Sequence, residues 1–564
     1  MYVKITHSGP RRYVQLVESF RNDEGKVKQR TVATLGRLDQ MDGQLESVIH
    51  GLLKLTGQEA ARRGPPNVSF ESSRALGDIW ALQELWNTLG FSALARTFRN
   101  TRHRIDVEAL IRLMVFNRLC DPESKLGVLR WLETVAFPGL EADQVTHDHL
   151  LRAMDALIDR REAVDGVVAR LLCPLIDQDL SVVFYDLTTI RAEGLSEQTE
   201  DVRQFGLAKE GVIARQFMLG VVQSAEGLPL YHEVFEGNAS ETQTLLPTLT
   251  KVLERYPTIR RLILIADRGL LSLDNLEALS AIRLGQGAPL EFILAVPGRR
   301  YYEFTELLQP FDEGQCKTAS GEVIGETTWN ELRLVMAHDP ARAAEQTQKR
   351  RAQIQALVEQ GERWAGKLDA QDAGQVKRGR KLSDSGAKAR FYRAVAEAHL
   401  ASLIRVDLKS DLFAYHIDEA AQARAEMMDG KLLLVTNARD LSTQEVISRY
   451  KSLADIERGF RVLKSELEIG PVYHRLPDRI RAHASICFMA LILYRIMRMR
   501  LKAAQSACSP ERALEQLRRI QHHRIRLDEE NPIEGISTIT DEQSKVFQAL
   551  GIKKPTTSQQ LSLL

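Results

Sequence analysis

Cysteine is scarce in this chain: Cys120, Cys173, Cys316, Cys487 and Cys508 are the five in 564 residues, with no CxxC pair. Such spacing excludes a zinc ribbon or disulfide-stapled scaffold and suits a reducing compartment. Long apolar runs are missing as well. The start, MYVKITHSGPRRYVQL, has no stretch fit for a secretory signal, and the longest apolar run, Ser485–Tyr494, is ended by Arg495. That run falls well short of the about 20 residues a bilayer requires. The expectation is a soluble, cytoplasmic chain with no membrane partner. Net charge is nearly absent, with Lys+Arg 76 against Asp+Glu 75. A uniformly basic nucleic-acid binder is thereby excluded, a locally basic one is not.

What is present is ample core, 44% hydrophobic residues and 27% charged, in a chain long enough for several domains. Residues 1–60 read as a β-rich segment. Tyr13–Phe20 and Val27–Leu35 flank the turn Asn22-Asp23-Glu24-Gly25, which predicts a hairpin. Residues 1–40 carry eight basic residues against four acids. Such a ribbon either touches a phosphate backbone or is simply solvated. Residues 61–176 turn helical, with Ile79, Leu82, Leu85 and Trp86, then Leu110, Leu113, Met114 and Phe116, at helical spacing. They form either an ordinary helical domain or a DNA-binding one. His147-Asp148-His149 reads as a helix start and not as a metal site.

From Leu180 the period changes. The apolar run LSVVFY ends at Asp186, Phe217–Ser224 and Leu230–Phe235 make a hairpin, and RLILIA ends at Asp267, with helices at Thr242–Tyr256 and Leu273–Leu284 and a strand at Glu291–Val296. This describes an α/β core over 177–300, resumed over 430–505 by the strand Lys431–Thr436, one long helix Leu441–Leu467 and an apolar helix Ile480–Met499. Residues 301–429 form an α+β insertion whose segment 349–381 has nine basic residues against four acids. It reads as a nucleic-acid contact or as a solvated helix face. Residues 506–564 read as a helical or irregular tail. A third basic tract, 475–502, sets seven basic residues against the single acid Asp478. The near-zero balance is thus compatible with local DNA contact.

Carboxylates at strand ends are the chemical signal. Asp186 and Asp267 each close an apolar run, where active-site groups of α/β sheets commonly sit. On the helix YKSLADIERGFRVLKSELEI, Tyr450, Glu457 and Lys464 lie seven apart and share one face, with Arg461 one turn beyond Glu457. Alone, that helix reads equally as a salt-bridged solvated face. With the two aspartates, Glu457 completes an oxygen-ligand set suited to Mg²⁺, and such sites clamp the oxygens of a phosphoryl transfer. The pattern fits a ribonuclease-H-like catalytic core.

The sequence resembles the DDE transposases of bacterial insertion sequences, in the branch with a Tyr-x2-Arg-x3-Glu-x6-Lys signature. The resemblance rests on FYDLTTI, on Phe205–Gly211 followed by LGVVQSAEGLPLYHEVFEGNASET, on LILIADRGLLS, and on PVYHR leading into Ile480-Arg481-Ala482-His483, together spanning about 180–500. It implies that Asp186, Asp267 and Glu457 bind Mg²⁺ (or Mn²⁺) and that Tyr450 and Lys464 hold the DNA end. The signature arginine falls at Leu453, which cannot hold a phosphate, so Arg458 or Arg461 substitutes or the contact is absent. In relatives the insertion helps flip a base. Trp329 is the preferred stacking candidate over Trp364, and each also reads as a core tryptophan.

The function implied is metal-dependent cleavage and strand transfer at terminal inverted repeats, cut-and-paste transposition by a homodimer on double-stranded DNA at the bacterial nucleoid. A ribonuclease-H-like nuclease without strand transfer and a non-catalytic DNA-binding relative are the competing readings.

Overall fold

The computed structural model describes residues 1–40, 68–99, 105–177, 181–194, 201–207, 213–267, 273–284, 287–304, 306–307, 321–375, 382–527 and 532–556. Within these, the side chains of 39, 207, 241–242, 273–275, 299, 302, 454–458 and 527 lie outside the described residues. So do the basic loop 376–381 and the motif stretches 208–212 and 268–272. The chain divides into two units, Met1–Ser72 with His523–Glu534, and Ser73–His522 with Gly535–Leu564.

In the first unit, β1 (Tyr2–Ser8), β2 (Arg11–Arg21) and β3 (Val27–Arg37) form an antiparallel sheet in that order. The expected hairpin is the β2–β3 pair. Gly25, at φ 77°, takes the left-handed conformation its turn requires, and its N–H donates to the Asn22 carbonyl at 2.8 Å. β1 is an additional strand, and β4 (Val68–Ala75) follows further on.

Three of the helices between Gly77 and Leu172, those starting at Val107, Lys125 and His147, begin at polar side-chain caps. Ser124 accepts from the Gly127 N–H at 3.1 Å ahead of Lys125–Leu132. Thr146 and His149 make a reciprocal capping box at the head of His147–Asp159, so the His-Asp-His motif serves a helix start.

The core sheet begins with β5 (Ser181–Arg191), β6 (Gln204–Leu207), β7 (Ile213–Ser224) and β8 (Pro229–Glu236). It adds β9 (Leu262–Ala266) after the helix Glu241–Arg255, and β10 (Glu291–Ala295) after the helix Leu273–Ala281. The run β8-β7-β5-β9-β10 is an antiparallel meander followed by two strands parallel to β5. The segment 301–429 supplies β11 (Val323–Trp329), β12 (Leu332–His338), the helix Pro340–Asp372, the short pair β13 (Ile404–Val406) and β14 (Tyr415–Ile417). β15 (Lys431–Thr436) pairs antiparallel with both β10 and β12, so the β11–β12 hairpin extends the core sheet at its edge.

One face of the sheet merges into a large apolar cluster shared with the helices after Gly77, while the other carries a smaller cluster around Val182, Phe184, Ile263, Ile265 and Leu434. The helix Pro477–Ala503 runs through the larger one, against Val107–Cys120 and His147–Asp159. It extends well past the apolar run visible in the sequence and is long and apolar enough to cross a membrane, but its apolar window is 94% buried inside the protein. It is a core helix. The tail also departs from expectation, because β16 (Gln521–Leu527) and β17 (Ile533–Ile536) form a small sheet with β4. QHHRIRL has too few apolar residues to announce a strand, and pairing with β4 supplies what its composition lacks.

Candidate active site

β5 and β9 are parallel neighbours whose registered pairs end with Tyr185 opposite Ala266. Asp186 and Asp267 are the next residue on each chain and therefore lie side by side. Alternation of side chains fixes their face. Tyr185 and Ala266 belong to the larger apolar cluster, Phe184 and Ile265 to the smaller, and both aspartates share the parity of the latter pair. Each is half-buried. The Leu187 N–H donates to Asp186 Oδ1 at 2.7 Å, and Tyr450 Oη donates to Asp267 Oδ1 at 2.9 Å. One expectation needs correction here. Asp186 does not close its strand, since β7 pairs along β5 as far as Arg191 and holds it extended. What ends beside Asp186 is the neighbouring strand, β9.

The long helix expected over 441–467 is two helices, Thr443–Lys451 and Leu453–Ser465. The first starts at a capping box, where Ser442 Oγ accepts from the Glu445 N–H at 3.2 Å and Glu445 accepts from the Ser442 N–H at 2.8 Å. It stops at Ser452, whose Oγ donates back to the Arg449 carbonyl at 2.6 Å. Tyr450 therefore lies on the first helix and Glu457 and Lys464 on the second, with Ser452 between them in a right-handed helical conformation.

Just past the break, Leu453 is 6% exposed and packs into the smaller apolar cluster. Further along, a Cβ on Gly459 would lie 2.7 Å from the Gln223 amide and 2.9 Å from the Arg495 guanidinium. Gln223 is the cross-strand partner of Phe184, so this helix presses on the sheet face that carries both aspartates. Glu457 is two residues before Gly459 on that helix. The side chains of Glu457 and Arg458 lie outside the described residues.

A cavity of about 510 Å³ opens beside Asp267. Ala337 and Leu432 line it from the sheet, Tyr450, Lys451 and Leu453 from the broken helix, and Asp339, Arg342 and Gln346 from the insertion. Its walls balance charge, with Arg342, Lys431 and Lys451 against Asp267, Glu322 and Asp339, and Lys451 pairs with Glu322 at 2.5 Å. Carboxylate oxygens on neighbouring strands are a donor set for a hard divalent cation. Among the described residues no three His, Cys, Asp or Glu are gathered as a metal cluster, and the third carboxylate expected here, Glu457, is not among the described side chains.

The sequence profile described as "Transposase DDE domain" matches residues 177–493, more than half of the chain. The chain belongs to the DDE transposases. Residues 2–63 match a second profile, "IS1634 family transposase, N-terminal domain". No curated protein matches the transposase. Among solved structures, the cryo-EM structure of a piggyBac transposase synaptic complex with hairpin DNA aligns with 78% of this chain and 76% of its own, at 8% identity and a TM-score of 0.38.

Of the other residues expected at the transposase's site, Arg461 is exposed and Lys464 half-buried on the second helix. Trp329 ends β11, half-buried, with its ring 5.1 Å from that of Phe304. Trp364 meets Phe391 and Phe413 edge-on in a separate apolar cluster. Both rings are thus engaged in packing. Sequence reasoning missed the insertion's share of the cavity. Its signal was Asp339-Pro340, an N-cap followed by proline in the first turn, which starts the helix and sets Arg342 and Gln346 at the cavity.

Several described cations of the two later basic tracts are engaged within the protein, while Arg475, Arg498, Lys502, Lys349, Arg363 and Lys367 are exposed. In 475–502, Arg479 pairs with Asp155 at 2.7 Å, Arg481 with Asp478 at 3.0 Å, Arg500 donates to the Leu550 carbonyl at 2.7 Å, and Arg495 is 5% exposed. In the insertion, Arg350 pairs with Asp429 and Arg351 with Glu426.

Proposed function

We propose that the protein binds the terminal inverted repeats of its own insertion sequence and catalyses metal-dependent cleavage and strand transfer there. The observation that carries this reading is the placement of Asp186 and Asp267 side by side on one sheet face. The order β8-β7-β5-β9-β10 supports a ribonuclease-H-like core, and the helix bearing Glu457 packs on the same face. Asp186, Asp267 and Glu457 would hold Mg²⁺ or Mn²⁺, whose chemistry is to neutralise charge at a scissile phosphate and at the attacking oxygen. Tyr450 orients Asp267 through its hydrogen bond. Lys451 and Arg342 border a cavity with room for a terminal nucleotide. Arg458, Arg461 and Lys464, on the helix of Glu457, would meet the phosphates of the DNA end. Two copies, one per end, would act together in the cytoplasm.

The test uses a duplex ending in the repeat that borders the reading frame, with a plasmid target. Asp186→Ala and Asp267→Ala remove several kcal/mol of charge stabilisation, hence on the order of a thousandfold in cleavage rate, while end binding persists. Undiminished cleavage refutes the assignment. Cleavage by the unaltered protein with no joined product identifies a nuclease without strand transfer.

A further inference from the structure

The N-terminal sheet has two chemically different faces. Side chains alternate along a strand and registered partners share a face. The register places Lys4 opposite Gln15 and Gln15 opposite Thr34, with Val17 opposite Thr31 and Ser19 opposite Gln29 in the next rows. These residues share one face, and Arg11 and Arg21 sit on it at the two ends of β2. No Asp or Glu falls on it among the strand residues. The other face carries Val3, Ile5, Val14, Leu16 and Phe20, together with Arg12, Lys28, Arg30 and the acid Glu18.

The amides and hydroxyls of the polar face are aligned by bonds among themselves. Lys4 Nζ donates to Gln29 Oε1 at 2.8 Å, Gln15 Nε2 to Thr34 Oγ1 at 3.2 Å, and Thr31 Oγ1 to Gln15 Oε1 at 3.4 Å. The first of these bonds spans the row of Val17, the buried residue of the face. Lys4, Gln29, Thr31 and Thr34 are exposed, and Gln15 is half-buried. Between Tyr2 and Arg37 the acids lie elsewhere: Glu18 is on the opposite face, paired with Arg30, and Asp23 and Glu24 are in the turn, Glu24 paired with Lys26. The polar face thus presents positive charge with no carboxylate and a row of exchangeable donors and acceptors.

We infer that this face is the transposase's sequence reader, laid into the major groove of the terminal repeat, an inference that rests on the function proposed above. Charge complementarity selects DNA as the occupant. The chemistry matches base edges, since glutamine amides read adenine and threonine serves either polar edges or the thymine methyl. The dimensions agree too, because a groove about 12 Å wide admits a two-stranded ribbon of strands about 4.8 Å apart, and the β2–β3 pair carries both Gln15 and Gln29. Side chains already aligned by one another lose little freedom on binding. Arg11 and Arg21, at the ends of β2, fall where the flanking phosphates run.

The experiment measures binding of the full-length protein to two duplexes, the terminal repeat that borders the reading frame and a scrambled sequence of the same composition, by fluorescence anisotropy over a salt series. Gln15→Ala with Gln29→Ala is expected to lower the preference for the repeat at least tenfold and to leave scrambled-duplex affinity and salt slope unchanged. Arg11→Ala with Arg21→Ala is expected to weaken both duplexes and flatten the slope, by about 0.9 for each phosphate no longer neutralised. Ile5→Thr, on the opposite face, should keep the preference. Circular dichroism establishes that each variant retains its sheet. A full preference in the glutamine variant, or its loss in Ile5→Thr alone, overturns the inference while leaving the proposed function standing. No preference in the unaltered protein overturns the end-binding reading itself, and the inference with it.

Discussion

Removing one hydroxyl separates metal positioning from DNA contact at the active site. In Tyr450→Phe the ring stays at the edge of the smaller apolar cluster, and the 2.9 Å bond to Asp267 Oδ1 is removed. A hydrogen bond to a charged group is worth about 1.5–3 kcal/mol, and half-exposure of the carboxylate brings the figure down to about 1 kcal/mol. Asp267 follows directly on the end of β9, so this bond is a principal restraint on its rotamer. An unrestrained carboxylate must be ordered when it takes a cation, so Mn²⁺ affinity of the DNA-free protein should fall about five- to tenfold. That lies at the low end of what outer-shell partners of metal ligands contribute. Electron paramagnetic resonance titration of free Mn²⁺ measures it directly, without any cleavage assay. Raising the metal concentration should restore cleavage. If Mn²⁺ affinity is unchanged while affinity for the repeat duplex falls, Tyr450 acts on DNA alone and the positioning argument is wrong.

Other outcomes follow from packing and titration. Leu453→Arg, which restores the signature residue, should cost about 3–5 kcal/mol, because it buries an unpaired charge in the cluster around Phe184 and Ile265; urea unfolding reads this, and improved end binding without destabilisation would contradict the packing. Gly459→Val should cost about 1–3 kcal/mol by overpacking against Gln223 and Arg495 and should lower cleavage by shifting the helix of Glu457; wild-type stability and rate would show that the close approach is not needed. Acid should destabilise the fold. Burial, then Arg161, holds His232 down at about 3, and burial, then Lys125, holds His474 down at about 3, with His483 pushed down in the same way. Such a group contributes fully above its unfolded value near 6.5 and loses its contribution as pH falls toward 3. Asp165, raised to about 6 by burial, runs the other way, its contribution full below about 4 and lost as pH rises through 6. At about pH 5 the first two histidines forfeit about 2 kcal/mol each and Asp165 regains about 1.4 kcal/mol, so the melting temperature should drop between about pH 7 and 5. A flat or rising calorimetric profile would contradict the burial of these imidazoles.

Where a residue's environment is set by its own neighbours, the sequence was legible. The β2–β3 hairpin, the β7–β8 hairpin around Gly227, the helix heads at Ser124 and Thr146 and the apolar strand β9 all follow from local pattern. What was not legible depends on partners distant in the chain. Asp186 reads as a strand end because LSVVFY stops being apolar there, yet β7, some thirty residues on, keeps β5 extended past it. QHHRIRL becomes a strand only beside β4, more than 440 residues earlier. The break at Ser452 leaves no mark in periodicity, since Ser452 stays in the right-handed helical region and the apolar spacing runs on through it.

The basic tracts show why charge counting and burial must be read together. By count, 475–502 is the most basic of the three, and it would be the first choice for a DNA surface. Yet it lies on the helix whose apolar window is 94% buried. Arginines on such a helix are kept by acids and carbonyls of the same fold, as Arg479 is by Asp155 and Arg500 by the Leu550 carbonyl. Buried cations already paired release no counterions when DNA arrives, so they contribute nothing to the salt slope. The N-terminal tract has a smaller excess, but most of its described cations stand exposed on a sheet, and Arg30 and Lys26 are in ion pairs. Arg11, Arg12, Arg21 and Lys28 are all exposed. Replacing Arg479 should therefore cost stability and leave the salt slope of end binding unchanged, whereas replacing Arg21 should flatten the slope at constant stability. If both replacements flatten it equally, position in the fold does not govern which cations meet DNA.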